Sequence, residues 1–85
     1  MMQTRFFTKK IDGEHATLMF LFIDNESKQI FEFKVVNGQL RETTEIVGSL
    51  MIGDTRIDEI SHDDAIKFYP HIEVDKLVEK VENAS

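Results

Sequence analysis

The chain has 85 residues, 41% of them apolar, no cysteine and a formal net charge of −6, which together indicate one folded acidic domain. The lack of cysteine excludes a disulfide framework, a thiolate zinc site and a thiol nucleophile, and it is typical of small domains in the reducing cytoplasm. The longest apolar run, residues 18–23, is far shorter than the roughly 20 residues of a membrane-spanning helix, and residues 1–10 lack the apolar core of a signal peptide. We therefore expect a single cytoplasmic domain over residues 1–85 that does not enter a membrane.

The acidic excess lies entirely in the second half of the chain. Residues 1–36 carry five basic and five acidic residues, whereas residues 37–85 carry five basic and eleven acidic residues. An acidic half repels a phosphate backbone, so we do not expect direct binding of nucleic acid. It suits a basic protein partner, although acidic surfaces also serve solubility alone.

The first 36 residues predict three antiparallel strands joined by short connections. Residues 4–11 and 16–23 flank Asp12-Gly13, which favours a two-residue hairpin because both turn positions need a positive φ. The second strand is apolar at every position except Thr17, a pattern typical of a central strand covered on both faces. The third strand, residues 29–36, alternates between an apolar face and a charged face.

The following segment predicts two further strands around a stretch that is harder to assign. Asn37-Gly38 favours a second tight turn, followed by a fourth strand over residues 40–47 whose polar middle suits an exposed edge. Residues 48–53, which include three consecutive apolar residues, fit either a short strand or an apolar loop lying on the core. Ile57 and Ile60 fit a helical turn or the end of a strand, and we predict a short fifth strand over residues 56–60.

Two helices are predicted at the C-terminal end. Ser61 is a favourable N-cap, two acidic residues in the first turn match the helix dipole, and Pro70 ends the helix. A second helix over residues 73–83 has a narrow apolar stripe that packs on the sheet or, alternatively, forms the seam of a dimer. Residues 84–85 are expected to fray. The predicted fold class is α+β, with an antiparallel β-meander of four to five strands followed by one or two C-terminal helices packed on the sheet.

The candidate partner-binding residues form an acidic face on the predicted fifth strand and the helix after it: Asp58, Glu59, Asp63 and Asp64. Together with Asp54 they place five acids within eleven residues around one base, Arg56. The cluster lacks the D-x-[DN]-x-[DN]-G spacing of an EF-hand loop, and it is short for a surface that imitates a phosphate backbone. A solvated acidic face is therefore the favoured interpretation.

No motif indicates catalysis or a cofactor. Gly48-Ser49 begins but does not complete G-x-S-x-G, and Gly48 and Gly53 have the spacing of a phosphate-binding loop without its lysine. His62 lies beside two carboxylates, which is suitable ligand chemistry for zinc or manganese, but the spacing of a two-histidine motif is missing and we interpret it as a surface residue. His15, just after a turn, is expected to be a solvated strand-end residue. We therefore assign no catalytic, cofactor-binding or metal-binding residue.

Six phenylalanines in the first three strands have two interpretations. They could stack nucleic-acid bases on an exposed sheet, or they could supply most of the core. The RNP1 pattern of base-stacking sheets is absent, so we predict a core role. The six are Phe6, Phe7, Phe20, Phe22, Phe31 and Phe33.

Three functional hypotheses follow from the sequence. The leading one is a small non-enzymatic protein-interaction or accessory module of bacterial or phage type, which binds through the acidic face or through an exposed edge strand that pairs with a partner or a second copy. The first alternative is an acidic regulator or inhibitor of a nucleic-acid-binding protein. The second alternative is a small metal-binding protein or enzyme that uses His62 with nearby carboxylates.

Overall fold

The computed structural model describes residues 2–84, which form a five-stranded antiparallel sheet and three helices. The strands are β1 Met2–Ile11, β2 Glu14–Asp24, β3 Ile30–Val36, β4 Gln39–Glu42 and β5 Ile57–Ile60, and the helices are α1 Glu45–Ile52, α2 His62–Phe68 and α3 Val74–Ala84. The order of strands in the sheet is β4-β3-β2-β1-β5, so β2 is central and β4 and β5 are the edges. The predicted α+β class with C-terminal helices is confirmed.

Both predicted tight turns are present. Asp12 and Gly13, between β1 and β2, have φ values of 53° and 80°, and Asn37 and Gly38, between β3 and β4, have φ values of 52° and 77°. Two successive positive φ values are the requirement of the type I′ turn that the sequence predicted. These turns fix the register of both hairpins and therefore decide which side chains share a face.

The sheet is covered on both faces, as the uniformly apolar β2 predicted. Leu18, Phe20 and Phe22 of β2 point to one face and pack with residues of α2 and α3. Met19 and Leu21 point to the other face and pack with residues of α1. We call these the α2–α3 face and the α1 face. The alternation of a single strand thus contributes to two separate cores.

Helix α1 occupies the residues predicted as the end of the fourth strand and most of the unassigned stretch after it. The strand β4 ends at Glu42 instead of residue 47, and residues 48–52 are helical, neither a strand nor a loop. The helix ends at Gly53, whose φ of 71° and N–H bond to the carbonyl of Ser49 form a left-handed C-terminal cap. The predicted edge strand exists, but it is four residues long.

The C-terminal helices follow the local sequence signals. The Ser61 hydroxyl accepts a hydrogen bond from the backbone N–H of Asp64 at 3.0 Å, which confirms the predicted N-cap. Helix α3 packs on the sheet through its apolar stripe. The helix extends to Ala84, the first residue of the predicted frayed tail, and Ser85 lies outside the described residues. Among residues 2–84, no helix combines the length and apolar character that crossing a membrane requires.

Candidate functional site

The C-terminal end of α1 exposes three consecutive apolar side chains. Leu50 is 61% exposed, Met51 is 81% exposed and Ile52 is 80% exposed. We call these three residues the apolar end of α1. Single exposed apolar residues are normal on a protein surface, but a contiguous group marks a candidate contact site. The helix is apolar around most of its circumference, and its buried residues are only Ile46 and Ser49.

The N-terminal end of α1 is held on the sheet by a carboxylate from a distant strand. Oε1 of Glu32, on β3, accepts hydrogen bonds from the backbone N–H groups of Ile46 at 2.9 Å and Val47 at 3.1 Å. The local N-cap residue, Thr44, makes no capping hydrogen bond with its side chain. The Thr43 hydroxyl accepts a hydrogen bond from the N–H of Glu45 at 3.2 Å, and Glu32 caps the next two N–H groups and adds a negative charge at the positive end of the helix dipole.

Glu45, the first residue of α1, adds two ion pairs to the same anchor. Its carboxylate lies 2.7 Å from Nζ of Lys9 and 3.1 Å from Nζ of Lys34, and it accepts a hydrogen bond from the Thr43 hydroxyl at 3.1 Å. The lysine contacts, led by Lys9, lower the pKa of Glu45 from 4.5 to about 2. The first turn of α1 is thus tied to β1 and β3, whereas its last turn is exposed.

Replacing Glu45 by glutamine should lower the free energy of unfolding at neutral pH by about 1–2 kcal/mol, since charged hydrogen bonds are lost but are partly screened by solvent. Because the folded-state pKa of Glu45 is depressed, its contribution is present above pH 4.5 and disappears as the pH falls towards 2. Urea unfolding of both proteins between about pH 7 and pH 2 should show a converging difference. A difference that stays constant with pH would contradict the assigned ion pairs, because other carboxyl groups cancel in the comparison.

A shallow groove of about 370 Å³ lies beside the apolar end of α1. Gly48, Ser49 and Ile52 line it from the helix, and a second ion pair, Asp54 with Arg56, lines it from the loop before β5. The two groups of this pair lie 2.8 Å apart, and Arg56 lowers the pKa of Asp54 to about 2. Each charged side chain that lines this groove therefore has an oppositely charged neighbour.

The structure divides the predicted acidic face. Asp58 lies 3.4 Å from Nζ of Lys10, and Glu59 pairs with the guanidinium of Arg5, which lowers the pKa of Glu59. Because side chains alternate along β5, these two acids point to opposite faces of the sheet. Asp63 and Asp64 lie together in the first turn of α2, with the Asp63 side chain fully solvated.

The histidines take part in structural contacts. His62 joins α2 to α3 by a hydrogen bond of 2.6 Å between its Nε2 and Oδ1 of Asp75. Its Nδ1 lies 3.9 Å from Oδ1 of Asp63. No group of three or more metal-ligating side chains occurs in the part of the chain that the structure describes. His15 lies at the start of β2 as predicted, but its predicted solvation was wrong, because the ring is partly buried and stacks on Phe68 with a centroid distance of 3.9 Å.

A buried polar network, which the sequence did not indicate, joins β1 to the end of α2. The hydroxyl of Thr8 lies 2.6 Å from the hydroxyl of Tyr69 and 2.9 Å from Nδ1 of His15. Thr8 has no exposed surface and Tyr69 is 2% exposed. Burial raises the pKa of Tyr69, although the hydrogen bond with Thr8 opposes that rise. Because both hydroxyl groups are buried and bonded to each other, we expect this network to contribute to the stability of the fold.

The phenylalanines of β1 and β2 fill the two cores. All four of these rings are buried, Phe6, Phe20 and Phe22 on the α2–α3 face and Phe7 on the α1 face. Phe33 is half-buried and Phe31 is partly exposed near the open edge of β3. The core role predicted from the sequence is confirmed for the four buried rings, which bases cannot reach.

The edge of the sheet next to β4 offers a second groove, of about 630 Å³. The register of β4 on β3 ends at the pair Glu42 and Phe33, so residues 30–32 extend beyond it. Part of this edge is already used, because the N–H of Thr43 donates to the carbonyl of Glu32 at 3.2 Å. The groove is lined by charged as well as apolar side chains, and it is less apolar than the end of α1.

Comparisons of the chain with protein-family models, with curated proteins and with solved structures find no match. The candidate site is therefore interpreted from its own geometry. Its features are a helix anchored at one end, an exposed apolar group at the other end, and paired charges around that group.

Proposed function

We propose that this protein is a protein-interaction module that binds its partner through the apolar end of α1. One observation carries the proposal: Leu50, Met51 and Ile52 are adjacent, apolar and 61–81% exposed on a helix whose other end is fixed to the sheet. An exposed apolar group of this kind costs solubility, and a partner surface would cover it. A rigid support favours binding, since little conformational entropy is lost on contact.

The size of the expected gain supports the same surface. Full burial of a leucine, isoleucine or methionine side chain is worth about 1.5–3 kcal/mol, and most of that remains to be gained for these three residues. Ion pairs at the protein surface contribute far less, with a typical value of about 0–1 kcal/mol. The apolar end of α1 is thus a stronger candidate contact than the acidic face formed by Asp58, Glu59, Asp63 and Asp64.

The acidic face remains the competing contact surface for a basic partner, and one experiment separates the two. Three variants of the tagged full chain serve as baits in the organism that encodes it: Met51→Glu, Ile66→Glu and the double variant Asp63→Lys/Asp64→Lys. Ile66 is the matched control, because it is an apolar residue, 44% exposed, on α2 at the opposite face of the sheet. Quantitative mass spectrometry measures the recovery of each captured protein relative to the wild-type bait.

We expect Met51→Glu to lower the recovery of the partner at least tenfold, because a buried carboxylate without a counter-ion is strongly disfavoured. Ile66→Glu and the double lysine variant should retain it. Loss of the partner with the double lysine variant but not with Met51→Glu would overturn the proposal in favour of the acidic face. Equal recovery with all baits would overturn it as well.

A further inference from the structure

We propose that the partner of the apolar end of α1 is a second copy of this chain, bound across a two-fold axis. This inference rests on the proposed function and names the occupant of the same surface. Its first support is the distribution of charge between the two faces of the sheet. Its second support is a glycine within α1 that no contact inside the chain requires.

The α1 face is close to electrically balanced. Four basic side chains on it, Arg5, Lys9, Lys34 and Arg56, are matched in number by four acidic side chains through ion pairs or through the cap of α1. The four acids are Glu32, Glu45, Asp54 and Glu59, and Arg41, opposite Lys34 in the register of β4 on β3, adds a fifth base to this face. By contrast, residues 61–84 contain six acidic and three basic residues, a net charge of −3.

This division of charge favours contact between two α1 faces. Each copy carries a formal charge of −6, so two copies repel one another wherever their acidic helices approach. Contact through the nearly balanced α1 faces places α2 and α3 of each copy on the outer sides of the pair, where their repulsion is smallest. A strongly basic partner would gain no attraction from the α1 face, whereas an identical copy needs none.

Gly48 lies inside α1 without a structural reason within the chain. A Cβ atom built at this position would meet nothing within 4 Å. Glycine is among the least favourable residues in a helix interior, so the position weakens α1 unless something approaches it closely. Gly48 also lines the groove beside Ile52, so the open side of the glycine is the side of the apolar end.

The two features together describe a self-complementary surface. In a two-fold contact the same residues face each other, so the apolar end of one helix would lie in the groove beside Gly48 of the other. A standard interface takes about 800 Å² from each partner, which is about a seventh of the 5719 Å² of accessible surface here. The apolar end and its groove supply the centre of such an interface, and we expect a dissociation constant in the micromolar range.

Sedimentation velocity of the full chain, from about 1 µM to about 1 mM, measures the equilibrium directly. The mass should rise from one chain to two across this range, and added salt should leave the association unchanged or strengthen it by screening the repulsion. Met51→Glu should raise the dissociation constant at least tenfold, and Ile66→Glu should leave it unchanged. Gly48→Leu adds apolar surface but fills the groove that the apolar end of the second copy would enter. It should therefore weaken a specific dimer, whereas unspecific adhesion would increase.

A second measurement is independent of charge and of the folding of Met51→Glu. Because the chain has no cysteine, Met51→Cys and Ile66→Cys each introduce a single thiol. Under mild oxidation Met51→Cys should form a disulfide-linked dimer much faster than Ile66→Cys. Equal rates would overturn the two-fold contact.

The failure of the dimer and the failure of the proposed function are distinguishable. A wild-type chain that stays monomeric up to about 1 mM overturns the dimer, and the proposed function survives only if Met51→Glu still loses a different captured protein. A dimer that Met51→Glu and Ile66→Glu affect equally overturns both, because its interface then lies elsewhere.

Discussion

Replacing Thr8 by valine should lower the free energy of unfolding by about 1–3 kcal/mol, because the buried hydroxyl of Tyr69 then loses its hydrogen-bond partner. Among the described residues, Tyr69 has no other side-chain hydrogen bond than the one at 2.6 Å to Thr8. Valine has nearly the shape of threonine, so the change removes the hydroxyl without leaving a cavity. For a domain of this length the total stability is about 4–13 kcal/mol, and such a loss is a substantial fraction of it.

The double variant Thr8→Val/Tyr69→Phe should be more stable than Thr8→Val alone. With both hydroxyl groups removed, no buried polar atom of this pair is left unsatisfied, and such paired replacements are close to neutral. Tyr69→Phe alone should cost less than Thr8→Val, because the Thr8 hydroxyl keeps its contact with Nδ1 of His15 at 2.9 Å. The four proteins form a double-mutant cycle that isolates the coupling between the two hydroxyl groups.

Urea unfolding at neutral pH measures the four free energies, and Thr17→Val is the matched control. Thr17 lies on the neighbouring strand β2, and its hydroxyl has no hydrogen-bond partner within residues 2–84. The control should therefore show no loss comparable to that of Thr8→Val. If the double variant were no more stable than Thr8→Val, the buried tyrosine hydroxyl would not be the source of the loss.

Features set by neighbouring residues were predictable from the sequence. The two tight turns follow from Asp12-Gly13 and Asn37-Gly38, and the cap of α2 follows from Ser61. The burial of both faces of β2 follows from its uninterrupted apolar run. Each of these features depends on local backbone geometry or on the period of a single strand.

Features set by distant contacts were missed. The network of Thr8 with Tyr69 joins residues 61 positions apart, and no local pattern indicates it. The predicted acidic face treated Asp58 and Glu59 as neighbours on one surface, although alternation along the strand separates them and β1 supplies a base to each. A charge count along the chain contains no information about such cross-strand pairing.

Helix α1 depends on both kinds of feature, those set by neighbouring residues and those set by distant contacts. Local signals for a helix were present, since Ile46, Val47, Leu50 and Met51 follow a helical spacing and Gly53 follows the last turn. The decisive cap, however, comes from Glu32, fourteen residues before Ile46. The exposure of the apolar end was also not predictable, because the sequence does not say how far the sheet extends beneath the helix.

Replacing Glu32 by alanine should release α1 from the sheet while the sheet stays folded. The backbone N–H groups of Ile46 and Val47 lose their acceptor, and the helix loses the negative charge near its N-terminus. We expect a local loss of about 1–3 kcal/mol, measured by hydrogen exchange of the α1 amides. Glu32→Gln should give an intermediate loss, since its amide oxygen still accepts hydrogen bonds but carries no charge.

Glu42→Ala is the matched control. Glu42 is an exposed glutamate at the end of β4, and its replacement removes the same charge as Glu32→Ala. It should leave the exchange of the α1 amides unchanged. Equal loss of protection in α1 and in the central strand β2 would instead indicate global unfolding, and it would contradict the role of Glu32 as an anchor of one helix.

The variant Glu32→Ala also tests whether the proposed contact depends on the anchoring of α1. Glu32 lies at the N-terminal end of α1 and does not belong to the apolar end, so Glu32→Ala leaves Leu50, Met51 and Ile52 in place. If binding requires these side chains to be held in a fixed arrangement, loosening the helix should weaken association of the two copies, because ordering α1 then opposes binding. If unspecific adhesion of apolar side chains were the cause of association, the released helix would bind equally well or better. Sedimentation of Glu32→Ala beside Glu42→Ala therefore distinguishes a preorganised interface from a merely adhesive one.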